Sequence, residues 1–278
     1  MNREETPTGS GGKFPLDEYS RFQGRLAAAR DLVVSGLELL PPLAAPCAER
    51  VRERLAHGVP VIDLDPDLPS IETLAAAAGM ITESALEHEV IGEEEHAVIE
   101  RALAIGGGAF IAELLPAMFR RDADAVAALA RREGISPEAL LLLGEHLARP
   151  VLERQTRGVG EHLPEDPIDT GTCPACGNPP RLSLLSGEGG KRRLVCGMCR
   201  TEWPYQRIGC PFCGCVDQAR LRYFAVDDEP DRAVEVCDGC RRYLKQVRFK
   251  HDADALSPMD LDVASARLDV LARREGFR

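Results

Sequence analysis

Eight of the ten cysteines in this 278-residue chain fall into four Cys-x-x-Cys pairs: Cys173/Cys176, Cys196/Cys199, Cys210/Cys213 and Cys237/Cys240. Such a turn holds two thiolates on one side of a tight loop, and two turns can close a tetrahedral shell around one metal ion. Four turns therefore point to two closed metal sites. Insert length decides which turns go together. Nineteen residues separate Cys176 from Cys196, and 23 separate Cys213 from Cys237, against the roughly 15–20 usual for a zinc ribbon. Joining Cys196/Cys199 to Cys210/Cys213 would leave only ten residues between turns. The expected ligand sets are thus Cys173, Cys176, Cys196 and Cys199 for one ion, and Cys210, Cys213, Cys237 and Cys240 for the other.

Other thiol chemistry fits less well. Disulfides at this density belong to small secreted domains, and Met1 to Gly12 is polar and glycine-rich with no apolar signal core. Covalent haem attachment needs histidine after the second cysteine, where this chain has Gly177, Arg200, Gly214 and Arg241. A thioredoxin-like redox pair uses one such turn, and iron–sulfur clusters favour irregular spacing. Zinc and iron both accept tetrahedral sulfur, so the residues leave the metal open. Each ribbon is too small to bury a core of its own, so binding worth about 10–16 kcal/mol per ion can be the folding energy itself. Cys47 and Cys215 have no paired partner in the spacing and read as buried or incidental thiols.

The turns need elements to hold them. Each insert reads as two short strands about a turn: 181–185 and 192–195 around Gly187-Glu188-Gly189-Gly190, then 221–226 and 233–236 around Asp227-Asp228-Glu229-Pro230-Asp231. A further strand-like run follows each second turn, at 201–208 and 243–249. The pattern repeats at an offset of about 40 residues, one ribbon per repeat. Ser257-Pro258 opens a last helix, with Leu261, Ala264, Leu268 and Leu271 on one face.

Residues 14–157 read as helical. Expected helices cover 17–40, 45–56, 71–78, 83–105, 109–121, 123–133 and 136–157, with Ser136 as N-cap, Pro137 in the first turn and Leu140, Leu143, Leu147 and Val151 on one stripe. Pro41-Pro42 and Gly58-Val59-Pro60 break the pattern, and 60–69 is extended. Chemistry is sparse here. Glu93-x-x-His96 has the spacing of a di-iron bundle, but no second copy exists. Gly106-Gly107-Gly108 lacks the lysine of a phosphate loop, and His57, His88, His146 and His162 have no evident acid or nucleophile partner. Gly158–Thr172, rich in glycine and proline, marks a domain boundary.

Charge is uneven. The net charge is −11, with 16 basic and 30 acidic side chains in residues 1–170 and 18 and 15 in residues 171–278. Arg192-Arg193 and Arg241-Arg242 flank metal turns, but the acidic chain argues against a nucleic-acid binder. No uncharged run reaches the ~20 residues of a membrane helix. With many thiols, a reducing cytoplasm is the expected location.

The metal region resembles the formate dehydrogenase accessory protein family, FdhE. The resemblance is carried by Cys173-Pro-Ala-Cys-Gly177, Arg193-Leu-Val-Cys-Gly-Met-Cys199, Thr201-Glu-Trp203, Arg207 and Cys210-Pro-Phe-Cys-Gly214. It continues through Tyr223, Glu235-Val-Cys-Asp-Gly-Cys240, Tyr243-Leu-Lys245, Asp262, Ser265, Leu268-Asp269 and Gly276-Phe277. It implies an all-α N-terminal domain followed by two small rubredoxin-like or zinc-ribbon β modules and a C-terminal helix. The expected divisions are a flexible tail (1–13), a helical domain (14–157), a linker (158–172), metal modules at 173–208 and 209–250, and the helix at 251–278. It further implies a cytoplasmic, non-enzymatic maturation factor that binds the catalytic subunit of formate dehydrogenase before assembly or export. Two tetrathiolate-bound ions, iron or zinc, go with it, and a homodimer stays open. The competing readings are a rubredoxin-like iron electron carrier and a zinc-ribbon nucleic-acid binder.

Overall fold

The computed structural model describes residues 16–41, 43–44, 46–106, 108–187, 190–226, 229–249 and 258–278. The expected tail at 1–13, Gly107, the turn residues Glu188, Gly189, Asp227 and Asp228, and Ser257 lie outside them. The chain groups into two compact units, one of 15–45 and 62–157 and one containing 46–61 and 158–278.

The first unit is all helix: α1 (Leu16–Glu38), α3 (Ile71–Glu87), α4 (Glu93–Gly106), α5 (Ala109–Arg120), α6 (Ala123–Glu133) and α7 (Pro137–Gln155). The start and stop signals work as local chemistry. Ser136 accepts the Ala139 amide at 3.2 Å, Asp122 accepts that of Ala125 at 2.9 Å, and Gly134 closes α6 at φ 69°. The stripe Leu140, Leu143, Leu147 and Val151 is wholly buried, with Ile111 and Leu114 of α5 also in the core. One expected break is misplaced. The sequence reading ends a helix at Ala78 and starts the next at Glu83, whereas α3 runs on to Glu87 and the chain turns at 88–92, where Glu89 takes φ 55°. Leu74, Ala77, Ala78, Ile81 and Ala85 form one buried stripe across Gly79, and that burial outweighs the roughly 1 kcal/mol cost of a helical glycine.

The second unit begins with α2 (Ala48–Ala56), which contacts a short 3-10 turn at Val159–His162. Six strands follow: β1 (Pro180–Ser186), β2 (Lys191–Cys196), β3 (Glu202–Pro204), β4 (Leu221–Val226), β5 (Glu229–Cys237) and β6 (Arg242–Phe249). They form one sheet in the order β3-β2-β1-β6-β5-β4. Each half is an antiparallel three-stranded ribbon. The halves join edge to edge where β1 runs parallel to β6, from Leu182 opposite Lys245 to Ser186 opposite Phe249. This pairing covers an edge that each ribbon would otherwise expose.

Two local expectations change. Glu229, Pro230 and Asp231, read as turn, lie at the start of β5, where the register against β4 jumps between Val226↔Glu229 and Ala225↔Ala233. Pro230 is tolerated at such an irregularity because it has no amide to pair. The expected single last helix is two, α8 (Pro258–Ala264) and α9 (Ala266–Arg274). The Ser265 hydroxyl at the joint donates to the Leu261 carbonyl at 2.6 Å, competing with the helical ladder.

The helix pair supplies the core that neither ribbon has alone. Leu261 of α8 packs with Leu182, Leu184, Val195 and Val247, and Leu268 and Ala272 of α9 pack with Phe224, Val234, Val236 and Phe277. Among the described residues no single helix is long and apolar enough to cross a membrane.

Candidate metal centres

Each cysteine pair sits in a tight turn, and Cys196 and Cys237 end β2 and β5. In all four, the residue after the second cysteine adopts left-handed backbone: Gly177 at φ 77°, Arg200 at 61°, Gly214 at 71° and Arg241 at 58°. That geometry lets the chain fold back on itself. The Gly177 amide donates to the Cys173 carbonyl at 2.7 Å, Gly214 to Cys210 at 2.9 Å and Arg241 to Cys237 at 2.8 Å. Both thiols of a turn are thereby held on one side of it.

The turns meet in the two sets that insert length pairs. Within each set of four, the sulfur atoms all lie within 4.8 Å of one another. Cys173 and Cys199 are 3.6 Å apart, Cys176 and Cys196 3.5 Å, and Cys210–Cys240 and Cys213–Cys237 both 3.7 Å. A tetrahedral ion with sulfur at about 2.3 Å needs sulfur–sulfur edges of about 3.8 Å, far longer than the roughly 2.05 Å of a disulfide. Both donor sets therefore fit a thiophilic ion such as zinc or iron. Backbone and side-chain N–H groups reinforce the first, with Met198 N 3.3 Å from Cys196 Sγ and Asn178 Nδ2 3.5 Å from Cys176 Sγ.

The thiols are poised unevenly. Burial pushes Cys173 and Cys196 up, while hydrogen bonds from Cys173, Cys196 and Cys199 pull Cys176 down. Four neighbouring thiols cannot all ionise uncompensated, so a bound ion must displace their protons, and affinity must rise with pH. In the second set burial raises Cys210 and Cys240. Burial also acts on Cys213, but the Cys215 amide and the adjoining thiols hold it below the ordinary thiol value.

Enclosure separates the two centres. All four cysteines of the first are buried, none more than 4% exposed. The segment from 46–61 adds a strap, with Val61 N–H donating to the Pro174 carbonyl at 2.9 Å. Trp203 is fully buried, and its indole donates to the Thr170 carbonyl at 3.2 Å. Ile168 N–H bonds to Pro204, so the stretch read as linker is tied to β3. The second centre is more open: Cys213 is exposed and Cys240 half-buried. Half-buried Cys215 packs against it, and Cys47 is exposed beside α2. Gly171 packs directly on the loop of the second centre, since a Cβ there would lie 1.7 Å from the Pro211 carbonyl oxygen.

A charged network behind β6 escaped the sequence reading, although Tyr243, Lys245, Asp262 and Asp269 are among the residues that carry the family resemblance. Lys245 is 1% exposed. Its ammonium meets Asp262 Oδ1 at 2.6 Å, Asp269 Oδ2 at 2.8 Å and the Asp262 carbonyl at 2.9 Å. Tyr243 donates to Asp269 Oδ1 at 2.8 Å, and Arg181 pairs with Asp262 at 2.8 Å. Burial would raise the Asp262 carboxyl, but Arg181, Lys245 and Arg200 together hold it at about 2. The network fastens α8 and α9 to both ribbons. The two left-handed arginines join the same helices. Arg200 lies 3.9 Å from Asp262, and Arg241 donates to the Glu275 and Gly276 carbonyls with its guanidinium 4.0 Å from the Phe277 ring. Those contacts offset the roughly 1–2 kcal/mol of a left-handed non-glycine residue.

The arginine pairs beside the turns are also used internally. Arg192 is buried and bonds Glu235, Ser183 and the Gly209 carbonyl, linking the two ribbons, and Arg193 pairs with Glu202 at 3.3 Å. In the helical unit, Glu95 accepts the Ser136 amide at 2.8 Å, and His57 and His88 bond carbonyls of their own helices. Among the described residues, the two cysteine sets are the only groups arranged to hold a metal ion.

Comparison with known proteins agrees with this architecture. The family models described as "FdhE, central domain" and "FdhE, C-terminal domain" match residues 172–207 and 208–278. A Protein FdhE homolog from Pseudomonas aeruginosa is 29% identical over 95% of this chain and 82% of its own length. Protein FdhE from Escherichia coli is 28% identical over 95% and 80%. An Aquifex aeolicus homolog is 33% identical over 38% of each chain. The crystal structure of the FdhE protein from Pseudomonas aeruginosa superposes with a TM-score of 0.56 at 23% identity, covering 95% of this chain and 94% of that one, which supports the fold. Both metal-region domains are thus matched in order, and the chain is similar to FdhE proteins along most of its length.

Proposed function

We propose that this chain is a non-enzymatic maturation factor for formate dehydrogenase. It would bind the molybdenum- or tungsten-dependent catalytic subunit in the cytoplasm, before assembly or export. The observation that carries this reading is the match of the FdhE central and C-terminal domains across all eight paired cysteines. The ligand sets are Cys173, Cys176, Cys196 and Cys199 for one iron or zinc ion, and Cys210, Cys213, Cys237 and Cys240 for the other. Each ion would supply the binding free energy that closes its ribbon. The proposed division of labour gives partner binding to a protein surface and integrity of that surface to the metal modules. One support is structural: the network behind β6 ties both ribbons to the last helices.

Co-purification from cells expressing both proteins should recover the catalytic subunit, and a deletion strain should lose formate dehydrogenase activity. No association together with full activity in the deletion strain would refute the reading. The exposure of Cys213 favours a second reading, electron transfer through iron at the second centre. Visible absorption that bleaches reversibly on reduction supports it, and an active protein holding only zinc excludes it.

A further inference from the structure

The sheet ends at β3 on one side and at β4 on the other. At the β3 edge the Pro204 carbonyl takes the Ile168 amide at 3.0 Å, and Pro204 has no amide of its own to offer. At the other edge, β4 has β5 on one side and, among the described residues, no strand on the other.

The ladder fixes which backbone groups β4 keeps free. The Asp238 N–H donates to the Arg220 carbonyl at 2.9 Å, one step beyond the Leu221↔Cys237 pair. Bonded and non-bonded pairs alternate along antiparallel strands, so Arg222↔Val236 and Phe224↔Val234 are the bonded ones. The N–H and C=O groups of Leu221, Tyr223 and Ala225 therefore point away from β5, out of the sheet edge. Among the described residues no backbone hydrogen bond outside the ladder reaches them. Natural sheets protect such an edge with lysine, proline or an irregularity. β4 reads Leu-Arg-Tyr-Phe-Ala-Val, without lysine or proline, and its register shifts only at Ala225/Val226. Its one cation, Arg222, turns to the helix side, over the Phe224 ring, and pairs with Asp238 at 2.8 Å.

We propose that the β4 edge is a strand-addition site, where an extended segment of a protein partner pairs with the backbone of Leu221, Tyr223 and Ala225. The partner residue opposite Tyr223 shares its side of the sheet. A β-branched or aromatic side chain there packs against the half-buried tyrosine. Size favours such a segment over a second copy of the chain. Six residues span about 20 Å, and one strand added beside them covers on the order of a few hundred Å². That is well below the roughly 1,200 Å² of a stable interface, so the rest of the contact must come from a partner anchored elsewhere. The assignment rests on the maturation reading for the existence of a protein partner.

The test uses the metal-loaded full chain and a fluorescein-labelled peptide that alternates threonine with valine around a central tyrosine. Anisotropy should show saturable binding that salt leaves unchanged, since no charge pair is involved. Binding should slow hydrogen exchange at the Tyr223 and Ala225 amides. Tyr223→Pro should weaken binding at least tenfold with Trp203 fluorescence and metal content unchanged, because the amide it removes serves no bond to β5. N-methylation of the peptide's valines and tyrosine should weaken binding equally, with no change to the protein, and methylation of its threonines should not. Absence of saturable binding, or full affinity after either the proline substitution or the valine and tyrosine methylation, would overturn the proposal. So would Tyr223 and Ala225 amides as protected as those of β5 before peptide is added. A dimer in sedimentation that Tyr223→Pro dissociates would overturn it too, since the occupant would then be a second copy. The two readings separate in co-purification. If folded Tyr223→Pro still recovers the catalytic subunit at parental yield, the edge is wrong and the maturation reading stands. If the peptide binds as expected but the parental chain recovers no catalytic subunit, the edge stands and the maturation reading falls.

Discussion

Lys245→Met should expose how much the buried network contributes. The substitution keeps length and apolar bulk but removes an ammonium that serves Asp262 at 2.6 Å and Asp269 at 2.8 Å. The two carboxylates then differ. Asp262 retains Arg181 at 2.8 Å, whereas Asp269 keeps the Tyr243 hydroxyl. Removing one partner of a buried pair costs about 3–5 kcal/mol because a charge is left uncompensated. The Asp269 side chain is 18% exposed, so water relieves part of that and about 3 kcal/mol is expected, roughly a hundredfold in the folded ratio. Trp203 is the single tryptophan and is fully buried in the sheet unit, so its fluorescence follows that unit alone. Guanidinium titration of the metal-loaded protein should show a lower midpoint with an unchanged slope. Adding Asp269→Asn should restore at least about 1 kcal/mol, since the stranded charge disappears with it. A loss below about 1 kcal/mol for Lys245→Met, or a double variant no more stable than the single one, would refute the reasoning.

Further outcomes follow from the same geometry. Cys173→Ser and Cys210→Ser should each lower the metal content from about two ions per chain to about one, by elemental analysis of protein purified without oxygen; an unchanged count refutes the ligand assignment. A chromophoric chelator should remove metal in two phases, with the open second centre first, and Cys210→Ser should lack the fast phase. Gly171→Ala should push the Pro211 loop outward, costing about 1–3 kcal/mol as overpacking does, and should accelerate metal release from the second centre only. Tyr243 is pushed up to about 12 by burial and then by Asp269. A raised group contributes its full stability below the unfolded value near 10 and loses it as pH rises towards 12. Tyr243→Phe should therefore flatten the decline of the denaturation midpoint above pH 9, and an unaltered pH profile would contradict the assignment.

Much of the metal region was legible because its code is local. A Cys-x-x-Cys turn is built from adjacent residues, and the number of residues between turns limits which can meet, so both sets of four could be paired without a structure. The cap Ser136 is local for the same reason. The misplaced break near Gly79 shows the limit, because whether a glycine ends a helix depends on what its neighbours bury. Pro230 shows it again, since its place in β5 depends on a register set by β4.

Taken alone, the sequence determined that eight cysteines form two sets of four, that a helical half precedes them, and which family carries that pattern. The tertiary structure decided that the two ribbons are one sheet. β1 and β6 are about 60 residues apart in the chain, and parallel strands carry no turn signal between them. It also decided that Lys245 is a buried tie rather than a surface cation, and that Arg200 and Arg241 anchor the last helices. A charged residue on a strand looks the same in sequence whether its partners are water or two aspartates from a helix pair. Only the packing of α8 and α9 across both ribbons brings those partners within 3 Å.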